Sequence, residues 1–207
     1  MAGFQPFCRR SNAFAVFLVL ACATAFAPRL RAQDLAIDLD PSVTRIDFTL
    51  SATLHTVHGT FKLKSGHVRF DLSTGKMSGA IVVDATSAET GNTSRDEKMH
   101  GEILESKQFP EIVFTPDLVK GPLIQMLNQQ KPTQVEVSGV FRLHGQDHHA
   151  TLKLSVEPGP AGRMDISAEF PVPYVNWGLK NPSTLVLRVG DTVDLDVHTR
   201  GKIALSP

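Results

Sequence analysis

Three observations in this 207-residue sequence predict an all-β, antiparallel fold. Apolar and polar residues alternate with period two through most of the chain. Short clusters of Gly, Ser, Asp and Pro separate these runs. Only one stretch, near residue 100, shows helical spacing instead. Eight or more half-buried strands joined by short turns form either a sandwich or a closed barrel, and the alternation does not choose between them. There is no internal repeat and no linker that would set off a second domain.

Residues 1–32 read as an export signal. Arg9 and Arg10 form a positive start, and Ala13–Ala27 is apolar but short for a membrane span. Two cleavage points compete, after Ala27 or after Ala32. Val19-Leu20-Ala21-Cys22 is a loose lipobox, so the alternative is a lipoprotein anchored through Cys22. The expected destination is therefore the periplasm or the exterior, with residues 33–207 as one domain. Cys8 and Cys22 are the only cysteines, so that domain has neither disulfide nor thiol chemistry. It must be held by its core, and it is long enough to bury one.

The whole chain has 21 basic and 21 acidic residues. The first 32 hold four arginines and no acid, leaving 17 basic against 21 acidic residues, a net −4. A mildly acidic domain without a basic stripe is a poor nucleic-acid binder.

From Val43 the strands follow in order. Ile46, Phe48, Leu50, Ala52 and Leu54 alternate with polar residues, which gives one apolar and one wet face. Val57, Gly59, Phe61 and Leu63 continue this. Ser65-Gly66 is read as a turn into Val68 and Phe70, and Ser73-Thr74-Gly75 as a turn into Gly79, Ile81 and Val83. A helix is then expected over Arg95–Lys107. Met99, Ile103 and Leu104 recur at helical spacing, and Asn92, Thr93 or Ser94 supplies the cap. Glu97, three residues after Ser94, fits a capping box. Gly101 weakens this helix by about 1 kcal/mol, so it needs tertiary packing. Pro110 stops it.

Ile112 and Phe114 resume the strands. Gly121–Pro132 breaks the pattern, and Leu123, Ile124, Met126 and Leu127 form one amphipathic turn, either tucked onto the core or a mobile lid. Val135, Val137, Phe141 and Leu143 are answered by Leu152, Leu154 and Val156 across a hairpin turn at Gly145-Gln146-Asp147. Ile166, Ala168 and Phe170 follow, before Pro171 and Pro173 end the pairing. Leu185, Leu187 and Val189 read as a strand that turns at Gly190-Asp191 into Val193, Leu195 and Val197.

Recognised catalytic spacings are missing. No GxSxG elbow, phosphate loop, dinucleotide fingerprint or HExxH pair occurs. His55 and His58 face opposite sides of a strand, and His148 and His149 diverge likewise. Asp194, Asp196 and His198 share a face, but at roughly 7 Å per step they are too far apart for one ion. They read as a solvated outer face. Arg95 and Asp96 read as a cap and ion pair at the helix start, or as a contact to a ligand headgroup.

Several spaced motifs resemble the YceI-like, polyisoprenoid-binding family. Thr90-Gly91-Asn92, Arg95-Asp96, and Phe109-Pro110-Glu111-Ile112 with Phe114 carry its signature. Val57-x-Gly59-x-Phe61 with Gly66, Gly139-x-Phe141-x-Leu143-His144-Gly145, Trp177-Gly178-Leu179 and Val189-Gly190-Asp191-x-Val193 agree in order. The resemblance covers roughly Asp34 to Ala204. It departs at Ile103-Leu104, where the family has an aromatic pair, and in the longer loop Gly121–Pro132. The resemblance implies a single lipocalin-like β-barrel of about eight strands with one short helix and an apolar interior. The implied lining is Phe48, Leu50, Phe61, Phe70 and Ile81, then Met99 and Leu104 from the helix, and Phe114, Phe141, Phe170 and Trp177.

Read from the residues alone, that inward face is either a filled core or a cavity. The resemblance implies a non-enzymatic protein with no cofactor beyond a bound isoprenoid lipid or quinone. Its partners would be a polyisoprenoid or other long-chain amphiphile and, transiently, a membrane. Two other readings stand beside it: a filled barrel acting as a secreted adaptor for a protein, and a metal-dependent enzyme using His144 or the Asp194–His198 face.

Overall fold

In the computed structural model, which describes Gly3 and residues 34–205, the barrel lies in the unit Ala32–Pro207. The export-signal and lipobox readings fall outside the described residues. Nine strands follow in order: β1 (Asp34–Leu39), β2 (Arg45–Ala52), β3 (Val57–Asp71), β4 (Met77–Glu89), β5 (Glu111–Lys120), β6 (Thr133–Leu143), β7 (Gln146–Pro158), β8 (Arg163–Val172) and β9 (Val189–Leu205). All pairings are antiparallel. The sheet runs β3-β2-β9-β8-β7-β6-β5-β4 and closes through β4 onto β3. The nine strands make eight staves, because β1 and β2 share one. β1 pairs with the C-terminal half of β3 and the end of β9. β2 pairs with the first half of β3 and the start of β9. The short 3-10 turn Pro41–Val43 joins them, capped by the Asp40 carboxylate, which accepts from the Ser42 amide at 2.9 Å. The closed barrel of about eight strands is therefore as expected; β1 was not.

Two expected turns are bulges within long strands. Ser65-Gly66 does not end a strand: β3 continues, and its register against β4 shifts between Leu63 and Ser65. Gly190-Asp191 lies inside β9, whose register slips where Val193 faces Leu50 and Val189 faces Ala52. Leu185 and Leu187 belong to no strand. Ser-Gly and Gly-Asp suit turns and bulges alike, and an extra unpaired residue bends a strand without reversing it. The β6–β7 hairpin is tighter than expected. His144 and Gly145 alone form it, both at positive φ (52° and 74°), as the twist of a two-residue hairpin requires.

The expected helix is shorter. α1 covers Thr93–Lys98, and a π-helical turn follows over Met99–Ile103. Asn92 is the cap, its side chain accepting from the Arg95 amide at 3.0 Å. Glu97 takes no part in the capping. The helix ends at Leu104 and not at Lys107, because Glu105 turns to φ 44°. The π turn has a visible cause. His100 is held between Ser106 Oγ and the Ala88 carbonyl, both at 2.9 Å, which pins the widened turn to β4. Within Gly121–Pro132 lies α2 (Leu123–Gln129), a full short helix where one turn was expected. It buries Leu123 and Met126, so it is tucked onto the core. Among the described residues no helix is long and apolar enough to cross a membrane.

Strand direction places the connections. The β2–β3, β4–β5, β6–β7 and β8–β9 links, with α1 among them, gather at one end. The β3–β4, β5–β6 and β7–β8 links, with α2, gather at the other. Two core clusters match these ends. One, around Phe114, Val137, Met126 and Met164, lies toward α2. The other, around Leu104, Leu143, Tyr174 and Leu179, lies beneath the helical segment.

A two-chambered apolar interior as the candidate functional site

The barrel interior is not filled. A lower chamber of about 220 Å³ is closed by Leu123 and Met126 of α2. An upper chamber of about 370 Å³ lies under the helical segment. Phe61, Ile112, Phe141 and Leu195 border both, which makes them a waist. Close-packed interiors rarely leave such space, so a filled-barrel adaptor loses its main support.

Of the residues expected to line a cavity, Phe48, Leu50, Met99 and Leu104 border the upper chamber. Phe70, Ile81, Phe114 and Phe170 border the lower one. Phe61 and Phe141 border both. Their rings meet in two groups: Phe48 with Phe61 at 5.3 Å, and Phe141 with Phe114 at 4.6 Å and with Phe170 at 5.9 Å between centroids. Gly59 makes room for this. A Cβ there would strike the Phe48 ring and come within 2.5 Å of the Glu89 carbonyl, so the ring lies directly on backbone.

Trp177 lines neither chamber. Its indole stacks on His148 at 4.5 Å with an interplanar angle of 1°, 5.8 Å from Phe141. It sits on the connection between β8 and β9, where no strand alternation directs a side chain inward. It backs the wall that Phe141 forms.

The polar rim of the upper chamber is made by His55, Thr90, Arg95 and Lys98; Thr90 and Arg95 stood out in the sequence as signature residues, whereas Lys98 did not. Arg95 and Asp96 form no direct ion pair among the described residues. They meet through Thr90. Arg95 donates to its hydroxyl at 2.7 Å and its carbonyl at 3.0 Å, while Asp96 accepts from its amide at 3.0 Å. The Thr90-Gly91-Asn92 turn is thereby fixed at the rim. Tyr174 and Leu179 also line this chamber and were missed, since both stand on an irregular segment. The floor residues Leu123 and Met126 were legible as an i, i+3 pair.

Two further ties hold the helical segment. His144 Nε2 meets Glu105 Oε2 at 2.6 Å, with the Phe109 ring 4.3 Å from the imidazole. Lys180 Nζ meets Glu102 Oε2 at 2.8 Å, joining the π turn to the β8–β9 connection. That lysine holds the Glu102 carboxyl below its ordinary range. His144 lines neither chamber. Asp194, Asp196 and His198 lie on the outside, alternating with Val193, Leu195 and Val197. Among the described residues no group of three or more His, Cys, Asp or Glu is placed to hold a metal ion.

This geometry defines a closed antiparallel β-barrel with a divided apolar interior and a polar rim at one end. The chain belongs to the YceI-like domain family, whose model matches residues 38–200. Solved structures share the fold. A polyisoprenoid binding domain from Saccharophagus degradans, implicated in plant cell wall breakdown, superposes with a TM-score of 0.61 at 17% identity, covering 82% of this chain and 99% of its own. BcnA from Burkholderia cenocepacia gives 0.62 at 16% identity, over 79% and 99% of the two chains. A YCEI protein from Campylobacter jejuni gives 0.53 at 16%, over 75% and 88%. A comparison with curated proteins finds no match.

Proposed function

We propose that this protein is a non-enzymatic carrier of the cell envelope, periplasmic or secreted, that holds a polyisoprenoid-type lipid such as a quinone or prenyl phosphate. The observation that carries this reading is the pair of apolar chambers joined at an aromatic waist, with Arg95 and Lys98 at the outer rim. A long tail follows the barrel axis and a polar head stays at the rim. Each methylene moved out of water contributes about 0.8 kcal/mol, so an amphiphile has a strong drive to enter. Ordering the tail offsets much of this, and affinity does not follow from area alone. The Saccharophagus relative, described as polyisoprenoid binding, supports the same ligand class.

Organic extraction of purified protein followed by mass spectrometry tests the reading. A stoichiometric long-chain amphiphile is expected. Protein that is reproducibly empty and also refuses added prenyl lipids would sink it.

A further inference from the structure

Two of the loops around the upper chamber end in bare aliphatic side chains. The β2–β3 turn raises Leu54, which is 76% exposed. The β8–β9 connection raises Leu185 and Val186, at 105% and 84%. Hydrogen bonds join the loops into one unit. The Thr53 amide and hydroxyl both donate to the Arg188 carbonyl, at 2.9 and 3.1 Å, and the Arg188 amide donates to Thr53 Oγ1 at 3.1 Å.

The same loops also line the chamber, through His55 and Val57 on one side and Pro182 and Leu187 on the other. Each loop thus carries aliphatic side chains both at its tip and in the chamber wall. Residues 52–57 and 180–190 contain no carboxylate. Lys180 is paired with Glu102, whereas the exposed Arg188 makes no ion pair among the described residues.

We infer that this lip docks on a lipid bilayer: Leu54, Leu185 and Val186 enter the acyl boundary, Arg188 meets anionic headgroups, and the upper chamber opens toward the membrane. The inference deepens the carrier reading and rests on it for its purpose. Size favours a bilayer over a protein partner. A stable protein interface engages about 20–30 residues a side, and three protruding side chains fall far short. A few inserted aliphatic groups beside a cation do suffice for reversible interfacial binding. Position agrees too, since the loops that raise these tips also line the chamber that would take the tail.

Vesicle flotation tests the inference, using phosphatidylcholine alone and phosphatidylcholine mixed with phosphatidylglycerol. Wild type should float with both and more strongly with the mixture. Leu185→Asp should weaken partitioning by about tenfold or more, because burying one leucine is worth at least that factor. Arg188→Ala should lose only the excess on anionic vesicles, as added salt would. Ile124→Asp is the control. Ile124 is 57% exposed on α2, at the opposite end of the barrel, and its variant should float like wild type. All these sites are exposed, so melting temperatures should not change. Leu185→Asp floating like wild type overturns the inference, and so does a solution dimer that this variant dissolves without any wild-type flotation. Loading with a prenyl alcohol in vesicle-free solution separates the two readings. Wild type that loads but never floats overturns the docking lip and spares the carrier. Wild type that floats but never loads overturns the carrier alone.

Discussion

Tyr174 is 6% exposed, and its hydroxyl donates to the Gly190 carbonyl at 2.8 Å, inside the β9 bulge. Burial pushes its pKa from 10.0 up to about 12, with the nearby Asp191 charge adding to the shift. The folded state thus favours the neutral phenol. Its contribution to stability is complete below pH 10 and is lost as the pH rises toward 12. Asp40, Asp71 and Asp84 set the opposite limb. Each accepts bonds from a hydroxyl residue two positions on, Ser42, Ser73 and Thr86, and each carboxyl is held below its ordinary 3.8. Their contribution is present above that value and is lost as the pH falls further. Tyr174→Phe removes the donor to Gly190 and should cost about 1–3 kcal/mol at neutral pH. It should also flatten the alkaline limb. Melting temperature against pH from 6 to about 12 reads both effects, and an unchanged alkaline limb in the variant would clear Tyr174 of the role.

The segment Thr93–Ile103 is the element that could open. It covers the upper chamber, carries a π turn around Gly101, and is tied down by polar contacts from His100, Glu105 and Glu102. Met99 is half-buried over the chamber and Leu104 is buried beneath the segment. Met99→Asp should therefore speed lipid dissociation with little change in the melting temperature of the empty protein. Leu104→Asp should cost both, because it buries a carboxylate in the upper cluster. Lys180→Ala removes an exposed strap and should speed dissociation alone. Phe61→Ala, at the waist, should lower retention and stability. Its ring already borders two cavities, so the loss should fall near or below the low end of the usual ~3–5 kcal/mol for a phenylalanine. Dissociation rates beside apo melting curves distinguish these outcomes. Retention unchanged in both Met99→Asp and Lys180→Ala would make the segment a fixed plug, with the opening elsewhere.

Closure of the sheet is a property that no single segment carries. Period two told which side chains share a face: Phe48 and Leu50 point into the barrel, with Asp47 and Thr49 outside. It could not tell that β9 returns to β2, since that pairing joins the two ends of the domain, with Arg45 facing His198. The family motifs supplied closure where the alternation stopped. The same locality explains the misread bulges, as partner strands decide whether Gly190-Asp191 turns or bends. It also explains Trp177, which the resemblance placed in the lining although its irregular segment turns it onto His148. The division into two chambers was not legible either, because it depends on how side chains from β3, β5, β6 and β9 converge on one level. That division sets the last expectation, the length of tail the protein prefers. A tail must pass Phe61 and Phe141 to reach the lower chamber, and α2 stops it there. Ala168 faces this chamber from β8, opposite Val197 of β9. Ala168→Phe fills empty space, so it should leave apo stability unchanged or raise it, unlike the same change in a packed core. Competition with prenyl alcohols of increasing length should then show a cut-off at shorter chains than in wild type, with the shortest members binding as before. Identical profiles for the two proteins would mean that the tail never passes the waist and that the upper chamber alone holds the ligand.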